Sequence, residues 1–316
     1  MKHLDSPKYL DPELLAAVAR YSAVGIAPNT VRAYRSGWRC FERWCAAHRL
    51  GALPASPLTI ATYLANRAGS LKPSSLALHV AAIRQAHLSG GFDSPTREPE
   101  VSAVLRGIRR HHGAGTTKKL ALTVPELGAV VAAIEDDLRG RRDRALLLLG
   151  FSGGFRRSEL VGLDVSDLFF RDEGVVVSLR RAKTDQEQRG RLVAIAHGLR
   201  PETCPVQALD RWVTAAGAAA GPLFRAIDRH GAIGRRRLNG RAVARVVQAR
   251  GRAAGLDPVL LGGHSLRSGL VTAAAKARIE ERDIAGTTGH KNLTVLRGYI
   301  QQADPFAAAL TRRIGF

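Results

Sequence analysis

The segment GVVVSLRRAKTDQEQRGRLVAIA, residues 174–196, is the one clear β element in a chain whose other segments show helical patterns. Two runs rich in Val, Leu and Ile flank a polar stretch suited to a turn, which predicts a β-hairpin. The polar stretch contains Lys183, the only lysine between Lys119 and Lys276. Because an ammonium group can give up a proton and a guanidinium group effectively cannot, a single lysine in an arginine-rich chain is a candidate for chemistry.

The segments around the hairpin predict a mainly α-helical protein with a small β-sheet, divided into two domains. Residues 1–112 repeat apolar side chains at steps of three and four, with helix starts such as one capped by Asn29 or Thr30. Glycines, threonines and lysines in residues 113–121 indicate a linker. Residues 122–316 combine further helical patterns with the hairpin, which predicts an α+β domain.

The composition of the 316-residue chain, with 45% hydrophobic and 24% charged residues, is that of a folded protein. No apolar run approaches the roughly 18 residues of a membrane-spanning helix, and the first residues lack the apolar core of a signal peptide. The three cysteines, Cys40, Cys45 and Cys204, show neither metal-ligand spacing nor a disulfide framework. We therefore expect a cytoplasmic protein that does not associate with membranes and binds no zinc.

The net charge is the strongest global signal in the sequence. Forty-eight Lys and Arg residues against 27 Asp and Glu residues give a formal charge of +21 and an isoelectric point near 11.1. A GC-rich genome would explain a preference for Arg over Lys, but it would not explain the shortage of acids. So large a charge requires a polyanionic partner, and nucleic acid fits better than an anionic membrane because no basic amphipathic helix stands alone at a terminus.

One predicted helix carries a regular basic row beside an apolar row of packing residues. The basic row consists of Arg32, Arg35, Arg39 and Arg43. This spacing suits phosphates along a groove of double-stranded DNA, although an ordinary solvated helix face would also produce it. Lys118 and Lys119 in the linker are placed to follow the backbone of DNA held between the two domains.

Three further stretches contain polar residues that could take part in catalysis. They are GGFRRSEL (153–160), GGHSLRSGL (262–270) and TGHKNLTVLRGYI (288–300). Taken alone, Arg156 and Glu159 fit a surface arginine and a helix-capping carboxylate, and Tyr299 fits a core aromatic ring. His264 and Arg267 lie one helical turn apart and therefore share a helix face.

The order of these residues resembles the tyrosine recombinase family, also called phage-integrase-type site-specific recombinases. An arginine, a lysine, a His-x-x-Arg box and a histidine are followed, nine residues later, by a tyrosine. The similarity spans nearly the whole chain and is strongest to the short two-domain members of the Cre and Xer type. It implies a helical core-binding domain over 1–112, a catalytic domain with a C-terminal tail helix over 122–316, and a bacterial, phage or plasmid protein associated with the nucleoid.

Position by position, GFRRSEL, the hairpin lysine, HSLR and GHKNLTVLRGY match the boxes of that family. The catalytic set implied by the resemblance is Arg156, Lys183, His264, Arg267, His290 and Tyr299, with Glu159 in support. Two positions depart from the usual pattern. Leu296 stands where a threonine is usual, and Thr288 stands where an apolar residue is usual. Because neither departure is expected to supply chemistry, both concern the subfamily rather than the activity.

The chemistry of the set agrees with strand cleavage through a protein–DNA ester. The Tyr299 phenol can keep the phosphoryl group as an ester, but its usual pKa near 10 requires cationic surroundings and a proton acceptor such as His264. Arg156 and Arg267 can hold the non-bridging phosphate oxygens, with a further donor from His290. Lys183 can protonate the departing 5′ oxygen. We expect no metal, ATP or other cofactor.

The resemblance also implies the partners and the assembly. It predicts a homotetramer on DNA, with a dimer on each inverted-repeat site, that exchanges strands through a 3′-phosphotyrosyl intermediate and a Holliday junction. A short amphipathic helix starting at Pro305 would pass between protomers, or alternatively fold onto its own domain. A type IB topoisomerase, which relaxes DNA as a monomer, and a catalytically silent accessory protein or repressor remain alternatives.

Overall fold

The computed structural model describes residues 25–113, 119–179, 190–217, 219–290 and 292–303. The chain divides into two compact units, Met1–Thr116 and Thr117–Phe316. Within the described ranges, no helix has both the length and the apolar character needed to cross a membrane. Outside these ranges lie the first part of the predicted helical region, residues 1–24, together with Lys118, Lys183 and the predicted helix starting at Pro305.

The N-terminal unit contains helices and no strand among its described residues. Its α-helices are α1 (Pro28–Ala47), α2 (Pro57–Arg67), α3 (Pro73–Ser89) and α4 (Pro99–His112). Each begins with a proline, whose fixed φ suits the first helical turn and whose missing N–H needs no partner there. Phe41, Trp44 and Tyr63 are buried in the core between these helices.

The predicted cap of α1 at Asn29 or Thr30 is wrong. The helix begins at Pro28, and Ala27 precedes it without a side-chain cap. Asn29 already lies in the first turn, where its side-chain oxygen accepts a hydrogen bond from the Arg32 guanidinium. The helix starts earlier than predicted because the fixed φ of Pro28 suits the first helical turn, so that no capping side chain is required.

The C-terminal unit is built around one buried helix. Its α-helices are α5 (Val124–Ala132), α6 (Leu138–Ser152), α7 (Arg157–Leu160), α8 (Pro205–Ala216), α9 (Gly240–Ala253), α10 (Ser265–Lys276), α11 (Glu281–Thr288) and α12 (Leu293–Ala303). Residues 145–151 of α6 are all buried, and this helix packs against α8 and α10. Asp137 caps α6 by accepting a hydrogen bond of 2.6 Å from the Gly140 amide.

The structure confirms both the hairpin and the mainly helical class. Strands β2 (Gly174–Leu179) and β3 (Arg191–Ala196) pair antiparallel, with Leu179 opposite Arg191. Strand β1 (Leu168–Arg171) adds to the free edge of β2. Strands β4 (Arg225–Ile227) and β5 (Ile233–Arg237) form a separate two-stranded sheet. Only the hairpin was predicted, because the other strands are short and lack an alternating apolar face.

Helix α12 is held on α10 by a small apolar cluster. Leu296 is fully buried there and packs with Val271, Ala274 and Ile284. Tyr299 lies at the edge of this cluster, one turn further along α12. The leucine therefore anchors the helix that carries the tyrosine, which gives a packing reason for an apolar residue at this position.

Replacing Leu296 by Ala should loosen the docking of α12 by about 2–5 kcal/mol, because the lost side chain leaves a cavity. Amide hydrogen exchange over 293–303 should accelerate accordingly, while α6 keeps its protection. The matched control is Leu293→Ala on the same helix, since Leu293 is 40% exposed. Equal acceleration in both variants would show that Leu296 does not anchor α12.

Candidate active site

At the start of α7, a buried carboxylate pairs with two guanidinium groups. The Glu159 side chain is 1% exposed, and its Oε1 accepts a hydrogen bond of 2.6 Å from Nη1 of Arg156. Its Oε2 accepts 2.9 Å and 3.3 Å hydrogen bonds from the backbone N–H of Arg156 and from Nη2 of Arg191. Glu159 thus caps α7 from the third helical position and neutralises part of the local positive charge.

Arg267 is the most deeply buried cation of the site, with 2% of its surface exposed. Its Nη1 donates to the carbonyls of Gly154, at 2.7 Å, and Thr288, at 2.5 Å. Its Nη2 has no hydrogen-bond partner among the described residues. Burial, followed by the neighbouring charge of Arg156, lowers the pKa of Arg267 to about 10. A buried guanidinium with an unused N–H group is suited to an anion.

Gly154 allows its own carbonyl and that of Thr288 to lie close enough together for Arg267 to bind both. Its φ is +56°, a left-handed conformation that glycine adopts without strain. A Cβ at this position would lie 2.8 Å from Cγ2 of Thr288. A larger residue would therefore separate the two carbonyls that Arg267 binds.

Arg191 is part of the site and was missed by the sequence reasoning. It begins β3, and beside its bond to Glu159 its Nη1 donates to the carbonyls of Gly286, at 3.4 Å, and Thr287. Burial lowers the pKa of Arg191, and the charge of Glu159 opposes this shift. No motif marks the residue; the one available signal was its position directly after the hairpin turn that contains Lys183.

Arg156, Arg191 and Arg267 all donate hydrogen bonds to backbone carbonyls in the C-terminal turn of α11. Arg191 binds the carbonyls of residues 286 and 287, Arg267 binds that of Thr288, and Arg156 Nη2 donates to that of Gly289 at 3.3 Å. These are the last carbonyls of a helix, which lack intrahelical partners and carry partial negative charge. Gly289 ends α11 in a left-handed conformation, with φ +68°.

The hydroxyl of Tyr299 lies 2.8 Å from Nε2 of His264. His264 directly precedes α10, and Tyr299 comes from α12, so the docking of these two helices sets the distance. Part of the His264 surface remains open to solvent. Desolvation of the ring, followed by the charges of Arg267 and Arg156, nevertheless lowers its pKa. A neutral His264 at physiological pH can accept the phenolic proton.

His290 also lies near the ring of Tyr299. The ring centroids of His290 and Tyr299 are 6.3 Å apart. Nδ1 of His290 lies 2.7 Å from the hydroxyl oxygen of Thr288. Burial, followed by the charges of Arg267 and Arg156, lowers the pKa of His290 to about 4.

The structure brings most of the predicted set together. Arg156, Glu159, His264, Arg267, His290 and Tyr299 form one connected group, whereas Lys183 lies outside the described residues. Across the described ranges, no cluster of three or more His, Cys, Asp or Glu residues is placed to hold a metal ion.

The residues predicted to contact DNA lie apart from this group in the chain. Arg32, Arg35, Arg39 and Arg43 are all exposed on α1. Nε of Arg43 donates to the carbonyl of Arg39 at 3.2 Å. The Lys119 ammonium donates to the carbonyl of Val259, and the following residue pairs through its backbone N–H with the carbonyl of Leu260.

Comparison with known proteins identifies relatives of the chain. Residues 121–305 match the Phage integrase family. An integrase/recombinase xerD homolog from Selenomonas ruminantium is 36% identical over 284 residues, covering 89% of this chain and 83% of its own length. Recombinase cre from Escherichia phage P1 is 24% identical over 294 residues, covering 87% and 84%.

Solved structures share the fold at low sequence identity. The Tn1549 transposon integrase in complex with transposon right end DNA has a TM-score of 0.63 and 18% identity, covering 95% of this chain and 98% of its own. A lambda integrase tetramer bound to a Holliday junction has a TM-score of 0.61 and 20% identity, covering 92% and 78%.

Replacing Glu159 by Gln should lower the free energy of unfolding by about 3–5 kcal/mol, because the buried guanidinium groups lose their counter-charge. Sulfate should recover part of the loss by binding the cationic cluster of the folded state. Denaturant titration with and without sulfate measures both effects.

The control for this variant is Glu281→Gln. Glu281 pairs with Arg297 at the surface, at 3.0 Å, and such pairs contribute about 0–1 kcal/mol. A loss in Glu159→Gln no larger than in the control would contradict the role of Glu159 as the neutralising charge.

Proposed function

The chain belongs to the phage integrase family, and we propose that it is a tyrosine-type site-specific DNA recombinase. It would cut and rejoin two duplex sites through a 3′-phosphotyrosyl intermediate and a Holliday junction. The observation that supports this most directly is the Tyr299 hydroxyl, which lies 2.8 Å from Nε2 of His264, a histidine whose pKa is lowered by desolvation and by the charges of nearby arginines.

In the proposed first step, Oη of Tyr299 attacks the scissile phosphorus as its proton passes to Nε2 of His264. The new Oη–P bond replaces the P–O5′ bond, and the 5′ oxygen takes a proton from Lys183. The phosphoryl group remains an ester, so no external energy source enters the balance. In the second step, a 5′ hydroxyl of the partner strand gives its proton to Lys183 and attacks the phosphorus. The P–Oη bond breaks, and Tyr299 takes its proton back from His264.

The arginines would stabilise the charge that develops on the non-bridging oxygens. Arg267 contributes Nη2, which has no hydrogen-bond partner in the described part of the chain. Arg156 contributes its guanidinium, which is 20% exposed and held in place by Glu159. Because their backbone contacts fix these groups before DNA binds, little reorganisation accompanies the reaction; each such donor is worth on the order of 100- to 1000-fold in rate.

We assign the two units separate tasks in DNA recognition. Residues 1–112 would form the core-binding domain, 113–121 the linker and 122–316 the catalytic domain. Double-stranded DNA with an inverted-repeat site is the proposed partner, since the chain has a formal charge of +21. The lambda integrase neighbour is a tetramer on a Holliday junction, which supports a homotetramer, with the C-terminal helix exchanged between protomers as a further part of the proposal.

Replacing Tyr299 by Phe should abolish the covalent adduct, because the ring is kept and only the nucleophilic oxygen is lost. The assay uses a nicked suicide substrate built on the site selected from a random DNA pool, with the adduct detected on a denaturing gel. Tyr34→Phe, which leaves the proposed nucleophile intact, should still form the adduct. An adduct of wild-type intensity in Tyr299→Phe would contradict the assignment, and plasmid relaxation without recombinants would favour a topoisomerase.

Replacing Arg35 and Arg39 by Gln should weaken binding to all DNA sequences alike. If each arginine contacts a phosphate, the slope of log affinity against log salt should fall by about one for each residue. Arg282→Gln is the control, since Arg282 is exposed and stands between Glu280 and Asp283. An unchanged salt slope in the double variant would remove the α1 row from the interface.

A further inference from the structure

We propose that Thr288 is a positioning residue that fixes the tautomer of His290, keeping the ring proton on Nδ1 and leaving Nε2 as the nitrogen that faces the phosphate. Thr288 is one of the two departures from the family pattern in this segment. The assignment rests on the contacts of its hydroxyl group, and only its catalytic consequence rests on the proposed function.

The hydroxyl of Thr288 has two neighbours and a single proton. Its Oγ1 lies 2.6 Å from the carbonyl oxygen of Ile284 and 2.7 Å from Nδ1 of His290. A carbonyl oxygen can only accept, and two oxygens 2.6 Å apart repel unless a proton lies between them, so the hydroxyl proton points to Ile284. This bond to the residue four positions earlier is the usual one for a threonine inside a helix.

The direction of the second hydrogen bond follows from the first. Because the Thr288 proton is already used, Oγ1 can only accept from His290, and Nδ1 must be the donor. A neutral imidazole carries one proton, so Nε2 of the neutral ring is unprotonated. The tautomer of His290 is therefore set by a side chain two residues away.

Thr288 is held rigidly enough to impose this choice. It is fully buried, and its own carbonyl accepts the 2.5 Å hydrogen bond from Arg267. Its methyl group packs against Gly154, where a Cβ would come within 2.8 Å. Rotating the side chain about Cα–Cβ, which would move Oγ1 away from Ile284, would also take the methyl group out of its contact with Gly154.

In the proposed reaction, the His290 ring needs a second proton before it can donate a hydrogen bond to the phosphate. With Nδ1–H bound to Thr288, His290 can donate from Nε2 to a phosphate oxygen only as an imidazolium. Burial disfavours that form, as do the positive charges of Arg267, Arg156 and Arg191 and that of His264 once it has taken the Tyr299 proton. The negative charges of Glu159 and of the incoming phosphate favour it. Cleavage should therefore be accompanied by proton uptake at His290.

The tautomer is tested directly by nitrogen NMR of the protein labelled at its histidine rings, without DNA and above pH 6. The His290 signals are assigned by their loss in His290→Gln. In the wild type, Nδ1 should show the shift of a protonated nitrogen and Nε2 that of a bare one. In Thr288→Val, which keeps the methyl group and removes the hydroxyl, the proton should move to Nε2. Thr288→Ser should restore the wild-type pattern.

Two NMR results would overturn the proposal. One is a wild-type His290 protonated on Nε2; the other is an unchanged tautomer in Thr288→Val. Because the measurement uses free protein, its outcome does not depend on whether the chain cleaves DNA.

The catalytic consequence is tested by single-turnover cleavage of the suicide substrate across a pH series. Wild type should lose rate as pH rises above the pKa of His290 in the complex, by up to about tenfold per pH unit. Thr288→Val should lose most of that dependence, since its neutral ring can donate from Nε2, and Thr288→Ser should regain it. Parallel profiles in wild type and Thr288→Val would contradict proton uptake at His290. Absence of cleavage in every protein would contradict the proposed function, and the NMR measurement would still decide the tautomer.

Discussion

Four consecutive backbone carbonyls at the C-terminal end of α11, residues 286–289, accept hydrogen bonds from three arginines that come from three different elements. A helix end lacks partners for these carbonyls and carries partial negative charge, so guanidinium groups are stabilised there. The same turn continues into His290 and α12. The placement of the cations, the second histidine and Tyr299 therefore depends on where one short helix stops.

The cluster remains strongly cationic after these contacts. Glu159 supplies the carboxylate that pairs with Arg156 and Arg191, and Arg267 keeps an N–H group without a partner among the described residues. Desolvation and mutual repulsion lower the pKa values of Arg267, His264 and His290. Holding these cationic groups close together costs free energy before an anion binds. A bound phosphate offsets that cost, which is the condition for charge stabilisation during strand cleavage.

The hairpin and the mainly helical class could be predicted from the sequence, because both are marked by residue type and spacing. The domain boundaries and the roles of the catalytic residues stay predictions. Arg191 was missed because, apart from Glu159, its partners are backbone carbonyls, which residue identities do not display. Thr288 was expected to be chemically irrelevant, and only its 2.6 Å and 2.7 Å contacts point to a role. The α1 cap at Asn29 failed because Pro28 set the helix start first.

We propose that this cationic cluster directs the oxygen of Tyr299, and no other, onto a DNA phosphate. The most direct test is to trap the adduct on the suicide substrate, digest protein and DNA, and locate the nucleotide by mass spectrometry. We expect a single modified peptide that contains Tyr299 joined to a 3′-phosphonucleotide. A nucleotide attached to Tyr34, Tyr63 or any serine or threonine would contradict it.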